Sequence, residues 1–91
     1  MLRRFPLGRT VATPGALAAL AEAEQSPAEF LERHVSGDWG EVDEHDAKEN
    51  EFSLENDLRL LSAYTLKTDV RIWVITEADR SATTILLPEE Y

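Results

Sequence analysis

Leu58-Arg59-Leu60-Leu61-Ser62-Ala63-Tyr64-Thr65-Leu66, Val70-Arg71-Ile72-Trp73-Val74-Ile75-Thr76 and Thr83-Thr84-Ile85-Leu86-Leu87 are three runs rich in branched and aromatic residues, separated by polar turns. Such runs read as strands, and their short links read as a meander. Lys67-Thr68-Asp69 closes the first hairpin and residues 77–82 link the second pair. Trp73 and Ile75 fall on one face of the middle run, Ile72 and Val74 on the other. A strand apolar on both faces belongs at the centre of a sheet.

Upstream of the meander the period changes to helical. Residues 7–13 form a short strand or an extended lead-in, with Leu7 and Val11 available to the core and Arg9 able to face water. Thr13 then caps a helix with Pro14 at its first position, where a missing N–H costs nothing. Residues 16–24 are strong helix formers, with Leu17, Leu20 and Ala21 as the expected apolar stripe. Ser26-Pro27 repeats the signal, and Glu29 completes a capping box. The second helix runs to about Ser36, buries Phe30, Leu31 and Val35, and stops at Gly37. Two helices joined this tightly suggest a helical hairpin.

Asp38-Trp39-Gly40 reads as a turn, and Glu41-Val42-Asp43-Glu44 as the first turn of a third helix, where carboxylates complement the helix dipole. That helix extends to about Glu55. Its stripe of Val42, Ala47, Phe52, Leu54 and Leu58 is ragged, which suggests a break near Asn50. The expected fold is therefore α+β: two or three short helices on a small antiparallel sheet with a C-terminal three-stranded meander.

The chain has 91 residues, 43% hydrophobic and 30% charged, with no cysteine. This length and apolar content fit a single globular domain, residues 1–91, with one core. A disulfide framework and a thiolate metal site are excluded, and a reducing compartment is allowed. The opening Met1-Leu2-Arg3-Arg4-Phe5-Pro6 is followed by Leu7-Gly8-Arg9-Thr10 and lacks the apolar run of a signal peptide. No stretch approaches the ~20 apolar residues that span a bilayer. The expectation is a cytoplasmic protein without membrane contact.

Charge is the strongest compositional signal. The net charge is −9, from 18 acidic and 9 basic residues. Direct binding to nucleic acid is disfavoured by repulsion of phosphates, and a partner with a basic surface is favoured. Asp38, Glu41, Asp43, Glu44, Asp46, Glu49, Glu51, Glu55 and Asp57 lie within residues 38–57 against the single Lys48, so this segment holds eight of the nine net negative charges. It fits an ordinary solvated helix face, the commoner role of charge runs. It also fits a surface that imitates the phosphates of a duplex, spaced ~1.7 Å along the axis. Trp39, beside the run, is a further contact candidate because Trp dominates interface hot spots, whereas Trp73 is expected in the core.

Other constellations are weaker. His45 and Glu49 share a helix face, but no calcium-loop spacing and no HExxH accompany them, so no metal and no cofactor are expected. His34 reads as a packed structural histidine. Glu77, Asp79, Arg80 and Ser81 crowd one link, but Ser81 has no neighbouring base, so the expected role is a hydrogen-bonded turn in which Asp79 accepts backbone N–H groups. Arg80 is either part of that turn or a partner contact. No catalytic residue is assigned.

Arg33-His34-Val35-Ser36-Gly37-Asp38-Trp39-Gly40, and Trp73-Val74-Ile75-Thr76-Glu77-Ala78-Asp79-Arg80-Ser81-Ala82-Thr83-Thr84-Ile85-Leu86-Leu87-Pro88-Glu89-Glu90-Tyr91, resemble a family of small plasmid-related bacterial proteins. The resemblance covers nearly the whole chain from Leu7 and implies an accessory gene of a mobile element. Some such genes carry restriction-modification names, but no glycine-rich cofactor loop or Asn-Pro-Pro-aromatic tetrad of a methylating subunit is present. The setting implies a use for acidity: an anti-defence inhibitor, anti-CRISPR or anti-restriction, that mimics DNA and occupies the basic surface of a nuclease or CRISPR complex. The alternative is a regulatory or structural accessory module, monomer or homodimer, that assembles through a sheet edge or the Trp39 patch.

Overall fold

In the computed structural model, which describes residues 3–91, the elements run in the order β1 (Arg9–Ala12), α1 (Pro14–Ala23), α2 (Pro27–Val35), α3 (Glu44–Asn56), β2 (Leu60–Thr65), β3 (Arg71–Thr76) and β4 (Ala82–Leu86), followed by a 3-10 turn at Pro88–Glu90. Met1 and Leu2, the start of the stretch read against a signal peptide, lie outside the described residues. Among the described residues no helix is long and apolar enough to cross a membrane.

The fold is α+β, and β2, β3 and β4 form the C-terminal antiparallel meander. β3 occupies an interior position. The sheet as a whole is mixed, because β1 joins β4 in parallel to give the order β1-β4-β3-β2. A parallel neighbour needs a long crossover, and the three helices between β1 and β2 supply the chain length for it.

Pleating sends Leu60, Ser62, Tyr64, Ile72, Val74, Thr76, Thr83 and Ile85 to one face of the sheet. α1 packs there against β4 and α2 against β3, while α3 docks on β2. The core joins Ala16, Ala19, Leu20 and Ala23 of α1 and Phe30 of α2 to Tyr64, Leu66, Ile72, Val74 and Ile85. Leu20 is central as expected. Leu17 and Ala21 instead face water, since the buried row of α1 is 16-19-20-23 and both fall beside it. Three of these four are alanines, so Leu20 is the one large side chain that α1 sets against the sheet.

The caps follow the sequence with one change. The Thr13 hydroxyl accepts from Ala16 N–H, and Pro14 opens α1. Ser26 accepts from Ala28 N–H, but the expected Glu29 box does not close, because the Glu29 carboxylate takes a bond from Gln25 Nε2 instead. At the end of α2, Gly37 adopts φ +90°, and Asp38 N–H reaches back to Arg33 C=O.

The third helix differs from expectation at its start and middle. Residues 41–43 lie outside it: Gly40 bridges to Ala63, and Glu41 N–H donates to Ala63 C=O, so this stretch extends along the edge of β2. Asp43 is the N-cap, accepting from Asp46 N–H. No break occurs at Asn50. The Asn50 amide donates to Leu61 C=O at 2.7 Å and accepts from Leu61 N–H at 3.1 Å, so the side chain pairs with the strand as another strand's peptide would.

Candidate functional site

The nine carboxylates of residues 38–57 fall into two groups. Asp38, Glu41 and Glu51 are each bound by an arginine from elsewhere in the chain. Arg33 holds Asp38 at 2.7 Å, Arg71 holds Glu41 at 3.0 Å, and Arg4 grips both oxygens of Glu51 at 2.7 and 2.9 Å. Their carboxyls sit below the usual carboxylate range. The main causes are the Arg33 bond for Asp38, the Thr65 hydroxyl for Glu41 and the Arg4 bond for Glu51. Asp43 is occupied as a cap. These four residues hold the fold together.

The second group lies on α3 and its C-cap. Glu44 reaches Lys48 at 3.6 Å and Glu49 reaches His45 at 3.8 Å, both one turn apart and highly exposed, where an ion pair contributes well under ~1 kcal/mol. Asp46, Glu55 and Asp57 have no side-chain partner among the described residues. Asp57 closes the helix in the left-handed conformation at φ 53°. Five carboxylates thus stand along a rigid thirteen-residue helix about 20 Å long.

This surface is not purely acidic. Phe52, expected in the apolar stripe, is 55% exposed, because the buried side of α3 is formed by Asn50 and Ser53 with Ala47 and Leu54 beside them. Lys48, Glu49, Glu55 and Asn56 are its helical neighbours three and four residues away. α3 therefore presents one apolar ring inside a rim of mostly negative charge.

Trp39 does not stand at the surface. It is 7% exposed, stacks on Phe5 with centroids 6.2 Å apart, meets His34 edge-on, and donates Nε1–H to Glu51 at 3.1 Å. A ring so enclosed cannot serve as a contact residue. Trp73 has the opposite fate: it points to the sheet face away from the helices, half-covered by Tyr91 at 5.7 Å. Gly40 explains part of the exchange, since its φ of +73° and its approach to Ala63 C=O draw residue 39 inward over Leu60.

His34 heads a buried polar chain that the sequence did not signal. Nδ1 lies 2.6 Å from Ser62 Oγ, Nε2 lies 2.9 Å from Thr76 Oγ1, Thr76 is 2.7 Å from Thr83, and Thr83 donates to Leu7 C=O at 2.7 Å. A carbonyl only accepts, so the single Thr83 proton goes to Leu7. Thr76 must then donate to Thr83, and His34 must donate from Nε2 to Thr76, which leaves Nδ1 to accept from Ser62. The direction of the whole chain is fixed by its last link. Burial, and then the charge of Arg80, pull the His34 pKa down to about 4. Ser62, His34, Thr76 and Thr83 are fully enclosed, so the Ser62–His34 pair has no access to a substrate.

Arg80 is likewise structural. Its guanidinium donates to the carbonyls of Leu58, Glu77, Ala78 and Ser53, and thereby ties the β3–β4 turn to the C-terminal end of α3. Asp79 accepts from Ser81 N–H as expected. Among the described residues no group of three or more His, Asp or Glu side chains is placed to hold a metal ion. Comparison with known proteins found no matching family model, no matching curated protein and no matching solved structure.

Proposed function

We propose that the protein is a non-catalytic binding protein that presents the exposed carboxylates of α3 to a basic surface on a protein partner. The observation that carries this reading is the division of the acidic segment. Arginines are spent on Asp38, Glu41 and Glu51, while Glu44, Asp46, Glu49, Glu55 and Asp57 project from one rigid element with only Lys48 and His45 among them. Fixed charges steer a cationic partner over a distance of about a Debye length and lose that effect in salt. Phe52, within the charged rim, supplies the apolar contact that converts encounter into residence.

The finer reading is an anti-defence inhibitor of a cytoplasmic nuclease or CRISPR complex, acting as a DNA mimic. It rests on the resemblance to plasmid-related proteins and on the charge of α3. The test is displacement of duplex DNA from purified restriction and CRISPR nucleases, with and without added salt. Displacement is expected to weaken in salt and to fall at least tenfold in the Asp46→Lys, Glu49→Lys, Glu55→Lys triple variant, which leaves the Asp43 cap in place. No displacement from any of these nucleases, or displacement undiminished by the triple reversal, refutes the reading.

A second reading, an accessory module acting through an apolar interface, is favoured by one observation. Among the described residues none of α1, α2 and α3 packs on the sheet face that carries Val11, Trp73 and Leu86; the 3-10 turn and Tyr91 cover part of it, and Val11 remains 40% exposed there.

A further inference from the structure

β1 is an edge strand whose outer side has no partner among the described residues. Arg9 N–H bonds to Ser81 C=O and Thr13 N–H to Ile85 C=O, so the odd-numbered residues of β1 turn their peptide groups toward β4. By the two-residue period, the N–H and C=O groups of Thr10 and Ala12 point outward. An unpaired row of this kind is a template for another strand. Natural edges are often blunted by proline, by charge or by shortness; β1 is short, but it has no proline and its one charge, Arg9, stands at its first position and leaves Thr10 and Ala12 free to pair.

We propose that this edge joins two copies of the chain, β1 pairing antiparallel with β1 about Val11 to fuse the two sheets into one of eight strands. In that register Thr10 of each copy lies opposite Ala12 of the other, and the two pairs exchange four backbone hydrogen bonds. Val11 lies opposite Val11, on the sheet face left open by the helices. Arg9 lies opposite Thr13 of the second copy. Thr13 donates its hydroxyl to the carboxylate of Glu90, so each Arg9 meets a carboxylate held in place, and the two-fold axis makes the contact twice.

The charge distribution selects a second copy as the occupant. α3 docks on β2 at the opposite edge, three strand spacings or roughly 14 Å from β1, so pairing through β1 sends the two acidic helices to the far ends of the assembly. Arg3 and Arg9, near this edge, have no carboxylate partner among the described residues. Association through any surface that includes α3 would oppose like charges instead. The inference does not rest on the function proposed above, because it uses the charge of α3 only to keep that helix out of the contact and not as a binding surface.

The chain has no cysteine, so Val11→Cys places a single thiol on the proposed axis. Non-hydrogen-bonded antiparallel pairs have Cα atoms about 4.5 Å apart, within the range a disulfide bridges. Mild oxidation should crosslink Val11→Cys and leave the control Phe52→Cys largely monomeric. Sedimentation equilibrium of the unmodified protein over a concentration series should give a monomer–dimer equilibrium. Arg9→Glu, which sets a second carboxylate beside Glu90 at both symmetric contacts, should weaken it about tenfold, and Arg9→Lys, which keeps the charge, should not. A monomer at every concentration, crosslinking at Phe52→Cys as fast as at Val11→Cys, or equal dimerisation of Arg9→Glu and the unmodified protein overturns the proposal. Circular dichroism on each variant separates loss of pairing from loss of fold.

Discussion

Replacing His34 tests how the core depends on one neutral imidazole. Its pKa in the folded chain is about 4, against 6.5 for an ordinary histidine. The folded state therefore binds fewer protons than the unfolded chain between those values, and stability rises with pH across that window. The contribution is fully present above pH 6.5 and is lost as pH falls toward 4. A difference of about 2.5 units, at 1.36 kcal/mol per unit, amounts to about 3 kcal/mol over the window. Protonation would also turn Nδ1 from acceptor to donor and oppose the bond from Ser62, so the whole chain to Leu7 is disturbed.

The assay is urea unfolding followed by tryptophan fluorescence, since Trp39 lies 5.8 Å from His34 and reports on the same part of the core. The midpoint should fall by roughly 2 M between pH 7 and pH 4 for a slope typical of a small domain. In His34→Gln the amide oxygen can accept from Ser62 and the amide N–H can donate to Thr76, so the polar chain survives without a titrating group. That variant should be weaker at pH 7 by about 1–3 kcal/mol, through lost ring contacts with Phe5 and Trp39, but its stability should depend much less on pH. Asp38, Glu41 and Glu51, whose carboxyls are also shifted, are common to both proteins and cancel in the difference. Equal pH slopes for the two proteins between pH 6.5 and 4 would refute the reasoning.

Substitutions at three further positions probe how α3 and the stretch leading into it are held. Asn50→Ala leaves the Leu61 N–H and C=O unpaired at the helix–strand junction and should cost about 2–3 kcal/mol in chemical denaturation; Asn50→Asp, which sets a nearly buried carboxylate oxygen against the Leu61 C=O, should cost at least as much near neutral pH. Gly40→Ala sets a Cβ against Ala63 C=O at positive φ, and a loss of more than about 2 kcal/mol is expected, with a red-shift of Trp39 fluorescence as the buried indole meets water. Arg80→Lys retains the charge but cannot span four carbonyls, so the melting temperature should drop nearly as far as in Arg80→Ala. Equal stability of Arg80→Lys and the parent protein would show that charge alone suffices there.

The elements legible in the sequence were those set by local chemistry. Thr13-Pro14, Ser26-Pro27 and Gly37 act within a few residues of themselves, so their spacing is enough to place helix ends. The β3 strand was legible for a similar reason, since two apolar faces leave it no position but the interior. What escaped depends on partners distant in the chain. The extended character of β1 was legible, but its parallel pairing with β4 was not, because it spans more than seventy positions. The ragged apolar stripe of α3 suggests a break near Asn50 until Leu61 is placed beside it, because a polar side chain, Asn50, makes the contact there. The aromatic pair was misjudged because alternation assigns Trp73 to a strand without saying which face the helices cover.

The acidic segment shows the same limit in charge rather than shape. A count over residues 38–57 treats nine carboxylates as equivalent, yet Arg4, Arg33 and Arg71 lie outside the segment, and only the fold brings them to Glu51, Asp38 and Glu41. The field available to a partner is therefore smaller and more localised than the composition suggests. It is centred on α3 and broken by Lys48 and Phe52. A triple reversal that included Asp43 would confuse binding with helix capping, because that side chain closes the first turn of α3. Reversal at Asp46, Glu49 and Glu55 changes six units of charge at exposed positions around α3 without removing a hydrogen bond on which the described fold depends; because Asp46 lies in the first turn, where the helix dipole favours a carboxylate, circular dichroism on the variant separates electrostatic loss of binding from loss of helix.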